Sequence, residues 1–96
     1  MSEYLKNLSQ AVTAMHGCGC SHSGKALVRE MIDGKEVWNG QVEIFDLQGH
    51  PTASKAFAWG YRDANGEIQY MAVLNVPPID TPRDAVQAAI ASGRFK

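Results

Sequence analysis

The chain has 96 residues, 45% of them hydrophobic and 20% charged, with nine Lys and Arg against ten Asp and Glu. That length allows one domain with one modest core, and a net charge of −1 without a run of five like charges argues against a general polyanion binder. No stretch is apolar for the length a membrane span needs, the opening MSEYLKNLSQ lacks the pattern of a secretory signal, and two cysteines spaced by one residue make no disulfide framework, so the expectation is a cytoplasmic protein with reduced thiols.

Tyr4, Leu5, Leu8, Ala11, Val12 and Met15 recur at helical spacing and form one apolar stripe. Ser2 suits the N-cap, Glu3 suits the positive end of the dipole, and Gly17 permits a left-handed stop. A helix this short is marginal alone, so its stripe must dock on its own sheet or on a second subunit. Residues 17–24 are mostly Gly, Ser and Cys with no large apolar side chain, and read as a linker.

The strand pattern begins with KALVREMI and turns at Asp33-Gly34, a strong hairpin signal. In KEVWNGQVEIFDL, Trp38, Gly40, Val42 and Ile44 alternate with Asn39, Gln41 and Glu43. The Asn39-Gly40 pair inside this run is compatible with a bulge, a kink or a second turn. QGHP breaks the chain. The strand SKAFAWGYRD puts Phe57, Trp59 and Tyr61 on one face and Ala56, Ala58, Gly60 and Arg62 on the other. ANG at 64–66 turns the chain into EIQYMAVLNV, whose middle is apolar on both sides, as in a central strand covered twice. After Pro77-Pro78, Thr81 suits an N-cap, with Pro82 at the first helical position and Asp84 at the third. Ala85, Val86, Ala89 and Ile90 form the buried stripe, and Gly93 is the expected stop.

The expected architecture is α+β: a helix, an antiparallel sheet of three to four strands, and a helix. Its parts are an amphipathic helix over 1–16, the linker over 17–24, and a core of sheet and C-terminal helix over 25–96.

Trp38, Gly40, Val42, Glu43, Phe45, Leu47, Gly49, His50 and Pro51 are followed by Phe57-Ala58-Trp59 and then by Pro77-Pro78. This pattern, Trp-x-Gly-x-Val-Glu-x-Phe-x-Leu-x-Gly-His-Pro at its start, resembles a family of small uncharacterised bacterial proteins. The resemblance runs from Trp38 onward, roughly the last sixty residues. It implies a bacterial origin and one compact domain, and it carries no activity.

The stretch HGCGCSHSG holds both cysteines and two of the three histidines. His16, Cys18, Cys20 and His22 are spaced by two, so an extended segment would point all four to one face. Thiolate and imidazole are ligands for zinc or copper, although structural zinc sites usually draw two ligand pairs from separate parts of the chain. A Cys18–Cys20 disulfide would span roughly 6.6 Å of strand, the outer edge of the allowed geometry. Such a bond would be strained and easily reduced. A nucleophilic cysteine is disfavoured, because both thiols follow a helix C-terminus, where the dipole opposes a thiolate. The plain reading is a mobile connection with incidental side chains. His50 reads as a turn residue with a satisfied ring nitrogen, and no nucleophile or carboxylate is tied to it by spacing.

Arg29, Trp38, Phe57, Trp59, Tyr61 and Arg62 are a candidate binding face. Aromatics on an open sheet stack nucleobases, whereas buried aromatics make a core. The helix–strands–helix order is similar in outline to double-stranded RNA-binding domains, but only Arg83 is basic where those carry a lysine cluster. A sheet reading DNA with Arg29, Lys35, Trp38, Trp59 and Arg62 is a further analogy, and near-neutral charge weakens both. The favoured expectation is a non-enzymatic interaction domain that pairs with itself or a protein partner. Zinc, copper or thiol-redox binding is the alternative, and nucleic-acid binding by the sheet the second. No membrane partner is expected.

Overall fold

The computed structural model describes residues 2–92. Helix α1 (Glu3–His16) is followed by strands β1 (Gly19–Ile32), β2 (Lys35–Gln48), β3 (Lys55–Arg62) and β4 (Ile68–Leu74), then helix α2 (Pro82–Ala91). The strands form one antiparallel sheet in the order β1-β2-β3-β4. This is an α+β fold.

Local chemistry places the ends. Ser2 Oγ accepts from Leu5 N at 3.2 Å, and Gly17 closes α1 at φ 67° with its N–H on Thr13 O. Asp33 and Gly34 both take positive φ in the β1–β2 turn, as a two-residue hairpin loop of this hand requires. At α2, Asp84 N donates to Thr81 Oγ1, and the Asp84 carboxylate accepts from Thr81 N in return. A bond from Asp80 N, then those from Thr81, hold the Asp84 carboxyl below its ordinary value. Thr81→Ala removes half of this capping box and is expected to lower stability by about 1 kcal/mol. Urea unfolding reads this as a lower midpoint at constant slope, and an unchanged midpoint would contradict the role. The stop expected at Gly93 lies outside the described residues.

The helices lie on opposite faces of the sheet. On one face, Leu8 and Val12 of α1 pack on Phe45, Ala56, Ala58 and Ala72. On the other, Ala85, Val86 and Ala89 of α2 pack on Val28, Val42, Phe57, Trp59 and Met71. The pairing follows volume. Small alanines of the sheet admit the larger α1 side chains, and small residues of α2 sit over the large aromatic pair.

Two expectations are corrected. Residues 17–24 are not a linker, because β1 begins at Gly19 and pairs with Gln48, Leu47, Asp46 and Phe45 from there to His22. Composition misleads here, because the far half of β2 supplies a complete ladder that small residues join without steric conflict. A bulge between His22 and Gly24 then switches which residues face each helix. Of the two docking partners expected for α1, its own sheet is the one used. Leu8 and Val12 are fully buried, and the helix docks on its own sheet. β4 is likewise not central. Helices cover both its faces, which explains its two-sided apolar pattern, but it forms the sheet edge. Asn39-Gly40 makes no turn, since both pair straight across to Arg29 and Val28.

Candidate functional site

The structure separates the four residues of the cysteine and histidine stretch. His16 is still helical, and its Nε2 donates to Ala72 O on β4 at 3.2 Å. Gly17 takes the left-handed turn, so the extended segment that would align all four never forms. Cys20 turns under α1, with its thiol on Ser9 O at 3.5 Å and beside Ser9 Oγ at 3.4 Å. His22 donates from Nε2 to Glu43 Oε1 at 2.8 Å, with its ring against Phe45. Cys18 and Cys20 are free, half-buried thiols. Among the described residues, no three His, Cys, Asp or Glu side chains gather into a group able to hold a metal ion. His50 is a turn residue, and its Nδ1 accepts from Thr52 N and Ala53 N.

The aromatic face is not open. Phe57 is 2% exposed and Trp59 is 1% exposed, both beneath α2. Trp38 packs edge-on against Trp59, with ring centroids 5.7 Å apart, and Tyr61 is partly buried against the same cluster. Alternation puts Arg62 on the opposite face from Phe57, Trp59 and Tyr61, and Arg29 on the opposite face from Val28. Each arginine is also engaged, Arg29 with Glu36 at 2.8 Å and Arg62 with Gly66 O. The six candidates therefore do not make one surface. The two best stacking platforms are core, because α2 supplies the small residues that fit over them.

A cleft that the spacing of residues did not reveal opens on the α1 face. β2 and β3 pair only from Glu43↔Ala58 to Asp46↔Lys55. Continued, that register would set Gln41 opposite Gly60, but the strands part. Tyr4 enters the split, and its Oη accepts from Gly60 N at 2.9 Å, replacing a lost ladder bond. A Cβ on Gly60 would approach the Tyr4 ring to 3.1 Å, so the close approach suits glycine. Burial raises the Tyr4 phenol above its ordinary value, opposed by the Gly60 bond and assisted by the Glu43 charge.

On the other side of Tyr4, Glu43 forms the floor of a space between the first turn of α1 and the β1–β2 surface. It is 2% exposed, and its carboxylate accepts from His22 Nε2 and from Gln41 Nε2. Tyr4, Leu5, Lys25 and Gln41 line the walls of a space of about 310 Å³. The sequence carries a signal for it. Glu43 is in phase with Phe45 and Leu47, so an acid sits in the α1-facing row of a strand, and a buried acid needs partners.

Beyond Glu43, β2 has only β1 beside it, and this outer half of the hairpin carries Leu27 (85% exposed) with exposed Met31, Ile32 and Val37. β1 is also a sheet edge, 14 residues long. In comparisons with known proteins, no family model, no curated protein and no solved structure matches this chain.

Proposed function

We propose that this chain is a non-enzymatic interaction domain that pairs with a second copy of itself through the outer half of the β1–β2 hairpin. The observation that carries the reading is the exposure of Leu27, Met31, Ile32 and Val37 on one element that extends past its support from β3. Apolar side chains grouped in this way mark association surfaces more often than single exposed ones do.

The edge position of β1 favours a second copy as the occupant. An edge strand presents backbone N–H and C=O groups that another strand can take up. The same edge on a second chain supplies a matching set, and a two-fold arrangement closes after one pairing. β1 also carries charges of both signs, Lys25, Arg29 and Glu30, so self-pairing is not opposed by a block of like charge. Nucleic acid is disfavoured by the net charge of −1 and the covered aromatic pair.

Sedimentation over a wide concentration range tests this. The expected result is a monomer–dimer equilibrium that Leu27→Lys weakens about tenfold or more, the loss of one buried anchor. Leu27 is exposed in the single chain, so the variant is expected to fold normally by circular dichroism. A strict monomer at high concentration, or a dimer indifferent to Leu27→Lys, overturns the reading.

A further inference from the structure

We infer that Met31 is an oxidation site that regulates self-pairing: hydrogen peroxide converts its thioether to the sulfoxide, and the modified chain pairs poorly. This rests on the pairing through the outer hairpin proposed above. Met31 is 45% exposed and stands near the end of β1, an edge strand. The register shift beside it places the extra residue, Val37, on β2, because Glu30 faces Trp38 and Met31 faces Glu36. Alternation along β1 is therefore unbroken there, and Met31 shares a face with Leu27 and Arg29. Val28, on the other face, is buried beneath α2. Leu27 and Met31 are thus the apolar pair on the open face of the strand that meets a second copy.

The modification is a two-electron oxidation. The sulfur of Met31 attacks one peroxide oxygen, and an S–O bond forms as the O–O bond breaks. The proton on the transferred oxygen passes to the leaving oxygen, which departs as water. Sulfur is oxidised and peroxide is reduced. In the single chain the new S=O group is hydrated at little cost. In the pair it is buried, and a buried acceptor without a donor is strongly disfavoured. Its neighbour across the hairpin is Glu36, whose carboxylate only accepts. Arg29 holds Glu36 through Nε at 2.8 Å, and its exposed guanidinium serves the sulfoxide in the single chain as well as in the pair. Backbone donors along the edge are taken up by strand pairing. The sulfoxide therefore favours the single chain, and pairing in turn shields the sulfur from peroxide.

The other methionines sort by environment. Met71 is buried beneath α2, so the fold protects it. Met15 is 51% exposed and adjoins His16, which is tied to Ala72 on β4, the sheet edge opposite β1. Met15 is thus open to peroxide without belonging to the paired surface, and serves as an internal reference.

Peroxide treatment of the full chain tests this, with peptide mass spectrometry at each methionine and sedimentation for the dimer. Oxidation of Met31 relative to Met15 is expected to slow as protein concentration rises through the pairing range. Met31 sulfoxide is expected to weaken pairing about tenfold or more, with circular dichroism unchanged, and methionine sulfoxide reductases with dithiothreitol should restore it. Met31→Leu, close in volume, should pair like the parent and keep pairing after peroxide, although it retains Met1, Met15, Cys18 and Cys20. A chain that is monomeric before any treatment overturns the pairing reading, and this inference with it. Three results overturn this inference alone: a dimer that survives full oxidation of Met31, a Met31→Leu dimer that peroxide also dissociates, or a Met31 to Met15 oxidation ratio that ignores concentration.

Discussion

Trp59→Ala is expected to destabilise the domain by about 3–5 kcal/mol, the range for emptying an aromatic site in a core. Trp59 is 1% exposed and sits between the sheet and α2, against Trp38 and among Val28, Val42, Phe57, Met71 and Val86. Truncation removes apolar area and leaves a cavity, because the helix cannot settle onto an alanine without losing its fit to Phe57. The loss is a large part of the about 5–15 kcal/mol that holds such a domain together. Urea denaturation should show a markedly lower midpoint, or no folded baseline. The measurement also separates the two readings of the aromatic face. A stacking platform open to solvent would lose little stability on truncation, so a change under about 1 kcal/mol would remove Trp59 from the core and reopen the face as a binding surface.

Leu8→Ala should have the second largest effect, about 2–5 kcal/mol. Leu8 is 0% exposed and packs with Val12 on a sheet surface made of Phe45, Ala56, Ala58 and Ala72. Those alanines cannot grow into the space that a shortened residue leaves. The cavity therefore stays open, and α1 loses much of its hold on the sheet. Since α1 also carries Tyr4 to Gly60 N and covers Cys20, a second readout is available. Amide exchange at Gly60 and reaction of the Cys20 thiol with a water-soluble alkylating reagent should both accelerate in Leu8→Ala. If α1 were an arm on a soft connection, Leu8→Ala would change neither global stability nor thiol reactivity.

These two residues also mark how far the sequence could be read. Trp59 and Ala58 alternate along β3, so their placement on opposite faces follows from the two-residue period. The period does not say which face meets which helix. That choice rests on volume: Leu8 and Val12 fit over alanines, and Ala85 and Ala89 fit over Trp59 and Phe57. The candidate site was harder to see for a related reason. Glu43 reads as a polar-face residue beside Asn39 and Gln41 when β2 is taken alone. Its phase with Phe45 and Leu47 marks the row it belongs to, but its burial arises only where α1 closes over that row, with His22 and Gln41 as partners. His22 sits beside cysteines in the chain. Its partner is Glu43, 21 residues away in sequence, and not the cysteines beside it.

Length, charge balance, caps and turn residues were sufficient for the α+β class and for most element boundaries. Ser2, Gly17, Asp33-Gly34 and Thr81 act on the backbone within a few residues of themselves, so their effects are local and legible. Strand formation over Gly19–Gly24, the edge position of β4, the burial of the aromatic pair and the cleft over Glu43 have a different origin. Each depends on a partner distant in the chain: Gln48 to Ile44 for the start of β1, the sheet order for β4, α2 for Trp59, and Tyr4 with His22 for Glu43. Hydrogen-bond completion and close packing between remote segments set these features, and they exist only once the chain has closed on itself.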